Sequence, residues 1–211
     1  MKITIKDDFD LSKIADSGQC FRFNAVGDGY SATALDKNLF IKSLGDGEYE
    51  LDCDKNEFDS FWNGYFDLDL DYRSLRKRID KEEDPYLFAA SDFGKGIRIL
   101  RQDPWEMLIS FIISQRKNIP AIKASIEKLC AMAGNVIKED VDGNPIYSFP
   151  TPEKLAELSL DQLSSCSLGY RDKYVQKAAI DVASGVVDLK AFESLDDEAL
   201  MEELLDRKSV V

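Results

Sequence analysis

The spacing of apolar residues changes once along the chain, and this change limits the folds that the chain can adopt. In the N-terminal quarter, short segments alternate apolar and polar side chains, as in Ile3–Ile5, Tyr30–Ala34 and Tyr49–Leu51. This alternation is typical of strands that bury one face. From Asp54 onward the spacing becomes that of amphipathic helices. The pattern predicts an α+β chain, in which an N-terminal antiparallel sheet is followed by a series of helices.

Two of the predicted helices begin with an aspartate followed by a proline, at Asp84-Pro85 and Asp103-Pro104. Aspartate caps a helix, and proline suits its first position because it has no N–H to lose. The helix after Asp103 is apolar on nearly every side, which predicts a central, buried position. Residues 134–143 lie between two glycines and are expected to form a loop. We expect a sheet domain over residues 1–85 and a helical domain over residues 86–211.

The composition excludes several kinds of chemistry. The chain has no histidine, which excludes Ser-His-Asp and Cys-His catalysis and the usual imidazole metal sites. Its four cysteines are far apart, so they form no zinc or iron-sulfur pattern and are expected to be reduced core residues. No metal site built from histidine or cysteine is therefore expected. No apolar segment approaches the roughly 20 residues of a membrane span, and no signal peptide is recognisable, so a cytoplasmic protein is expected.

The charge of the chain is unfavourable for nucleic-acid binding when it is taken as a whole. The formal net charge is −13, whereas contacts to phosphate need lysine and arginine. The segment Lys95–Lys128, however, has seven basic residues and three acidic residues. A protein that is acidic overall can still carry one basic face. A structural or protein-interaction role remains the alternative that the charge alone favours.

Three segments carry the strongest functional signals, and each also has a purely structural interpretation. Gly96–Gln115 predicts a capped apolar helix that leads into the basic stretch Ser114–Asn118. Its structural interpretation is a core helix followed by a solvated loop. Ser167–Val175 places adjacent Tyr and Arg side chains at a glycine turn, as insertion into a base stack requires. Its structural interpretation is an ordinary turn between helices. Asp16–Phe23 has a glycine that lets backbone approach a ligand, or is a plain loop.

Together these segments resemble the bacterial-type 8-oxoguanine DNA glycosylases of the helix-hairpin-helix (HhH-GPD) superfamily. The resemblance rests on Ser17–Arg22, Leu100–Pro104 and Leu168–Arg171, which follow in the family's order and spacing. It implies a sheet like one half of the TATA-binding protein packed on a helical domain. It also implies a monomeric base-excision repair enzyme without a cofactor. Such an enzyme flips 8-oxoguanine out of double-stranded DNA, removes it and cleaves the abasic strand.

The resemblance assigns roles to three residues. The backbone carbonyl of Gly18 would accept the hydrogen that 8-oxoguanine carries on N7, where normal guanine has an acceptor. Tyr170 would wedge beside the flipped base. Arg171 would hydrogen-bond the cytosine that has lost its partner.

The loop after the central helix departs from the family pattern. The family often has a run of asparagines there, and Gln115, Arg116, Lys117 and Asn118 stand in its place. These four residues are expected to contact DNA. Arg116 is expected to fill the gap left by the base, with Gln115 as the alternative. In the family an arginine further along contacts the cytosine, and Ala121 stands at its position here. The preference for the base opposite the lesion is therefore left open.

The last residues depart further from the family. Its catalytic hairpin reads roughly Lys-Gly-Val-Gly-x-Lys, and Lys208–Val211 stands at the place of Lys-Gly-Val-Gly without either glycine. The second lysine of the hairpin is the nucleophile, and a later aspartate assists it. Both would lie beyond Val211, and Lys208 is not the nucleophile. We therefore expect an incomplete helical domain, no catalytic residue and no activity in residues 1–211. A frameshift, an early stop or a shortened fragment would each explain this ending.

Two alternatives to this enzyme remain open at the level of sequence. One is a DNA-binding fragment without catalysis. The other is a glycosylase of the same superfamily that acts on alkylated bases.

Overall fold

The computed structural model describes residues 1–205. The chain forms two compact units. The sheet unit comprises Met1–Thr33 and Asn38–Gln102, and the helical unit comprises Ala34–Lys37 and the chain from Asp103 onward. The segment Lys208–Val211, which the sequence matches to part of the family's hairpin, lies outside the described residues. The domain boundary predicted after residue 85 stays a prediction.

The sheet has five strands, in the spatial order β1-β5-β4-β3-β2. They are β1 (Lys2–Thr4), β2 (Phe23–Val26), β3 (Gly29–Ala34), β4 (Lys37–Gly45) and β5 (Glu48–Leu51). Strands β2 to β5 follow one another as a meander, and β1 pairs antiparallel with β5, with Ile3 opposite Tyr49. The predicted antiparallel sheet is confirmed, since the alternation of apolar residues places one face of the sheet toward a core.

Five helices accompany the sheet in the described part of this unit. They are α1 (Leu11–Asp16), α2 (Lys55–Glu57), α3 (Asn63–Tyr65), α4 (Tyr72–Arg76) and α5 (Pro85–Phe93). A π-helical turn over Phe58–Trp62 joins α2 to α3, so the helix predicted after Asp54 is continuous. Helix α1 was not predicted, because six residues are too short to show a clear helical period.

An aromatic cluster forms the core beneath the sheet. Trp62 and Phe66 are fully buried, and the Phe66 ring contacts Phe9 at 5.3 Å and Phe23 at 6.0 Å between ring centroids. The indole N–H of Trp62 donates to Glu57 at 2.8 Å. The buried tryptophan is therefore satisfied both by packing and by a hydrogen bond, as buried aromatic side chains with a polar atom require.

The helical unit consists mainly of helices around α6. Its elements are α6 (Pro104–Ser114), α7 (Ile119–Ala133), β6 (Val136–Glu139), β7 (Pro145–Tyr147), α8 (Pro152–Ala156), α9 (Leu160–Ser165), α10 (Asp172–Ala183) and α11 (Asp197–Leu205). Short 3₁₀ turns lie over Gly169–Arg171 and Ala191–Ser194. Helix α6 packs against α7 and α10. Its Ile109, Ile112 and Ile113 are buried, which confirms the predicted central helix.

The prediction of a loop over residues 134–143 was wrong. Strands β6 and β7 form an antiparallel hairpin, with Val136 opposite Tyr147. Gly143 lies in its turn with φ of +79°, a conformation that glycine adopts without strain. Strands of three or four residues are too short to show a clear alternation, so the turn residues dominated the sequence pattern.

The expectation of reduced core cysteines holds for three of the four. Cys20, Cys130 and Cys166 are buried and form no disulfide, whereas Cys53 is half-buried. Burial raises the pKa of the Cys53 thiol to about 11, and nearby carboxylates add to this shift. A thiol with a raised pKa is a poor nucleophile at neutral pH. No helix within residues 1–205 is both long enough and apolar enough to cross a membrane.

Candidate functional site

The loop after α1 exposes its backbone at Gly18. Gly18 is exposed and has a φ of +80°, and a side chain built there would meet no atom within 4 Å. The preceding Ser17 hydroxyl donates to the Ile14 carbonyl at 2.7 Å, which ties the loop to the end of the helix. Within residues 1–205 no group donates a hydrogen bond to the Gly18 carbonyl. The loop therefore offers a backbone acceptor to a ligand.

The Gln19 side chain fixes this loop to the segment that precedes α6. Its amide nitrogen donates to the Arg98 carbonyl at 2.8 Å, and its amide oxygen accepts from the Leu100 N–H at 2.7 Å. The Gln102 side chain donates in turn to the Gln19 carbonyl at 2.6 Å. The carboxamide of Gln19 thus pairs with the backbone as a neighbouring strand would. Three hydrogen bonds hold the residue next to Gly18, so the position of its carbonyl is well defined.

Arg98 holds the chain beneath this loop. Its guanidinium is 0% exposed and donates to the carbonyls of Asp8, Asp67 and Leu70 at 2.8–2.9 Å, and to the Asp7 carboxylate at 2.6 Å. Partial burial alone would raise the pKa of the Asp7 carboxyl. Three backbone N–H donors and the Arg98 charge instead hold this pKa below its usual value. Arg98 therefore links four separate points of the sheet unit.

Sequence reasoning did not identify Arg98 and Gln19 as structural partners. The available signal was an arginine inside the apolar run Ile97–Leu100, since a charged residue in such a position is rarely buried unless it is paired. Nothing in the sequence pattern showed which groups would pair with it.

The turn that precedes α10 carries Tyr170. Ser167 and Gly169 both have positive φ angles, of +63° and +61°, which reverses the chain sharply between α9 and α10. The Tyr170 side chain is 51% exposed. Its ring lies 4.4 Å from the guanidinium carbon of Arg171 and contacts the Tyr174 ring edge-on. These contacts leave about half of the Tyr170 residue accessible at the turn.

Arg171 is buried although its neighbour Tyr170 is exposed. Only 7% of the residue is accessible, and its guanidinium donates to the Leu168 carbonyl at 3.1 Å and to the Gln115 carbonyl. Its Nε has no hydrogen-bond partner within the described residues. Arg171 therefore connects the turn to the end of α6. The base contact predicted for Arg171 from the family resemblance stays a prediction.

The structure gives the four residues of the loop Gln115–Asn118 different surroundings. The Gln115 carbonyl accepts from Arg171, and the Lys117 ammonium donates to the Ser167 carbonyl at 2.8 Å. The Asn118 side chain caps α7 by accepting from the Ala121 N–H at 2.9 Å. Arg116 is exposed and has a φ of +51°. Gln115 and Lys117 are thus brought together with the Tyr170 turn, and Gly18 belongs to the other unit.

Comparison with protein families assigns both halves of the chain. Residues 2–108 match the model of the 8-oxoguanine DNA glycosylase N-terminal domain, and residues 109–208 match that of HhH-GPD superfamily base excision DNA repair proteins. The chain belongs to the 8-oxoguanine DNA glycosylase family.

Relatives of this glycosylase family agree with the assignment. The N-glycosylase/DNA lyase of Saccharomyces cerevisiae is 38% identical over 128 residues, which cover 60% of this chain and 32% of the yeast protein. The 8-oxoguanine glycosylase/lyase of Clostridium acetobutylicum in its apo form is 35% identical, with a TM-score of 0.91 over 100% of this chain and 73% of that one. Its complex with double-stranded DNA containing cytosine opposite 8-oxoguanine has a TM-score of 0.88 and covers 100% and 74%.

These matches confirm the predicted family and the α+β class of an 8-oxoguanine DNA glycosylase. The matched region spans about a third of the length of the yeast relative. The individual roles predicted for Gly18, Tyr170, Arg171 and the loop after α6 stay predictions.

Proposed function

We propose that the protein is a base-excision DNA repair glycosylase and abasic-site lyase that recognises 8-oxoguanine in duplex DNA. The observation that carries this proposal is the exposed residue Gly18, whose carbonyl accepts no hydrogen bond within residues 1–205 and is held in place through Gln19. 8-Oxoguanine presents an N–H at the position where guanine presents a lone pair. The Gly18 carbonyl oxygen would accept a hydrogen bond from 8-oxoguanine, whereas in guanine it would face another acceptor. Two acceptors that face each other without a hydrogen bond cost about 1–3 kcal/mol, which is enough to discriminate 8-oxoguanine from guanine.

The helical unit supplies the contacts proposed for the rest of the duplex. The accessible Tyr170 ring is proposed to wedge into the base stack, and Arg116 to fill the gap that the flipped base leaves. Arg171 is proposed to reach the unpaired cytosine. Because two of its nitrogens already donate to the Leu168 and Gln115 carbonyls, this contact requires at least one of those bonds to be exchanged or the buried Nε to become accessible.

We predict that Gln19→Ala lowers the preference for damaged DNA. The substitution removes three carboxamide hydrogen bonds, to the Arg98 carbonyl, the Leu100 N–H and the Ser17 hydroxyl, so the Gly18 carbonyl loses its defined position. The affinity ratio between an 8-oxoguanine:C duplex and a G:C duplex should fall roughly tenfold, with little change in binding to the undamaged duplex. Competition binding measured by fluorescence anisotropy gives this ratio directly.

Gln162→Ala is the matched control for that experiment. Gln162 makes a similar side-chain contact to backbone, but it caps α9 in the helical unit. Its removal should leave the preference for the damaged duplex unchanged. The role proposed for Gly18 would be rejected if Gln19→Ala kept the full preference while remaining folded by circular dichroism.

We also propose that residues 1–211 bind the lesion without completing the chemistry. The family resemblance places the nucleophilic lysine after Val211. A polypeptide of residues 1–211 should therefore give no covalent adduct when it is mixed with an 8-oxoguanine:C duplex and sodium borohydride, which traps a lysine Schiff base. The glycosylase/lyase of Clostridium acetobutylicum serves as the positive control. A trapped adduct with residues 1–211 would contradict the proposal, and repeating the assay with Lys208→Gln would test whether that lysine formed it.

A further inference from the structure

Three cationic side chains converge on the turn that precedes α10. The Lys117 ammonium donates to the Ser125 hydroxyl at 2.5 Å and to the Ser167 carbonyl at 2.8 Å. The Lys128 ammonium donates to the Ser167 hydroxyl at 2.8 Å. The Arg171 guanidinium, which also donates to this turn, completes the group. We call Lys117, Lys128 and Arg171 the cationic cluster.

In the part of the chain that the structure describes, no carboxylate pairs with the cationic cluster. Within residues 1–205 none of its three members forms an ion pair. The neighbouring Asp172 carboxylate accepts instead from the Ser164 hydroxyl and from the Lys173 N–H. Burial lowers the pKa of the Lys117 ammonium, and the charges of Arg171 and Lys128 lower it further. Like charges held this close are unfavourable unless an anion joins them.

The cluster retains hydrogen-bond donors that its protein contacts do not use. An ammonium group has three donors, and the described contacts use two on Lys117 and one on Lys128. The buried Nε of Arg171 has no partner within the described residues. The unused ammonium donors of Lys117 and Lys128 lie beside a turn whose Ser167 and Gly169 are exposed.

The backbone at this turn also favours negative charge. The 3₁₀ turn Gly169–Arg171 continues into the 12-residue helix α10, so the positive end of a helix dipole lies at the cluster. Gly169 has no side chain, and one built there would meet only the Arg171 guanidinium, at 3.8 Å. A ligand can therefore approach the backbone closely at this position.

We propose that the cationic cluster binds one phosphate group, and that in the DNA complex this group is a backbone phosphate beside the Tyr170 wedge. The phosphate oxygens accept from the free donors of Lys117 and Lys128, and the phosphate charge removes the repulsion among these two groups and Arg171. Phosphate binding is inferred from the cationic cluster alone. The assignment of the phosphate to damaged duplex DNA rests on the function proposed above.

The test uses duplexes in which one backbone phosphate at a time is replaced by an uncharged methylphosphonate. For the unaltered chain, one replacement near the lesion should weaken binding at low salt by about tenfold. The double variant Lys117→Gln/Lys128→Gln should bind more weakly overall but be insensitive at that same phosphate. The slope of log affinity against log salt should also decrease by about 0.9, the value for one phosphate contact.

Lys173→Gln is the control, because Lys173 lies at the start of α10 but outside the cluster, with its ammonium 5.2 Å from the centre of the Tyr174 ring. This variant should keep the full sensitivity to the methylphosphonate. Equal sensitivity in the double variant and the unaltered chain would overturn the proposal. Since Lys128 is exposed, Lys128→Gln alone provides a second test with little risk to folding.

Two further measurements separate this inference from the proposed function. Inorganic phosphate should shift the amide resonances of Ser167–Arg171 in the unaltered chain, and it should do so less in Lys128→Gln. If the methylphosphonate pattern appears equally on undamaged DNA and no preference for 8-oxoguanine is found, the proposed function fails and the phosphate site stands. If neither duplex nor inorganic phosphate distinguishes the variants, the phosphate site fails.

Discussion

Arg98→Met is expected to lower the free energy of unfolding by about 3–5 kcal/mol, because removing one partner of a buried ionic group leaves the other partners unsatisfied. Methionine fills a similar volume but provides no donor. The substitution leaves the Asp7 carboxylate without its guanidinium partner, and the carbonyls of Asp8, Asp67 and Leu70 without their donors. Urea unfolding followed by circular dichroism measures the loss as a lower midpoint at an unchanged slope.

Lys55→Gln is the control for Arg98→Met. Lys55 also pairs with an aspartate, Asp59 at 2.6 Å, but the two side chains are 77% and 54% exposed. Exposed ion pairs contribute roughly 0–1 kcal/mol, so this variant should be nearly as stable as the unaltered chain. Equal, small losses for the two variants would show that the buried Arg98 network contributes little to stability. That result would contradict its role as the support of the Gly18 loop.

Ile109→Ala is expected to lower the free energy of unfolding by about 2–5 kcal/mol, through lost burial and the cavity that remains. Ile109 lies in the middle of α6 with no accessible surface, and α6 packs against both α7 and α10. Alanine favours the helix more than isoleucine does, so the loss cannot come from a weaker helix. Thermal and urea unfolding measure the change, and hydrogen exchange in α6 and α7 localises it.

Met107→Ala in the same helix is the control, because Met107 is 37% exposed and its truncation leaves a smaller cavity. We expect a loss below about 1 kcal/mol, as is usual for partly exposed positions. A loss as large as that of Ile109→Ala would mean that packing around α6 does not follow the burial pattern.

The two stability experiments also bear on the interpretation of the binding experiments. The Arg98 backbone carbonyl accepts from Gln19, so the Arg98 network and the Gly18 loop share a segment of chain. A variant that unfolds partly at the assay temperature would lose selectivity for a trivial reason. The preference for damaged DNA is therefore informative only for variants that remain folded under the assay conditions.

Local features of this chain were predictable from the sequence. Asp84 and Asp103 each accept a hydrogen bond from the backbone N–H three residues later, as the two Asp-Pro pairs indicated. Such caps depend on neighbouring residues only. The family was also predictable, because the segments around Gly18 and Tyr170 combine residue types whose order and spacing are specific.

Other local features were too short to be predicted. The hairpin over residues 136–147 and the six-residue helix α9 contain too few residues for an apolar period to emerge. The capping box of α9, formed by Ser159 and Gln162, was the signal that could have located this helix.

The sequence by itself determined that a sheet precedes a series of helices, the caps at the two Asp-Pro pairs and the family, since these follow from neighbouring residues and from motif spacing. Only the tertiary structure decided which charged groups are buried and what they contact. Arg98 donates to Asp7, which is 91 positions away in the sequence, and Lys117 donates to Ser167, which is 50 positions away. Arg171, for which the family resemblance predicts a base contact, lies buried and donates to the Gln115 carbonyl. Contacts between such distant residues depend on how whole elements pack, and a linear pattern carries no record of that packing.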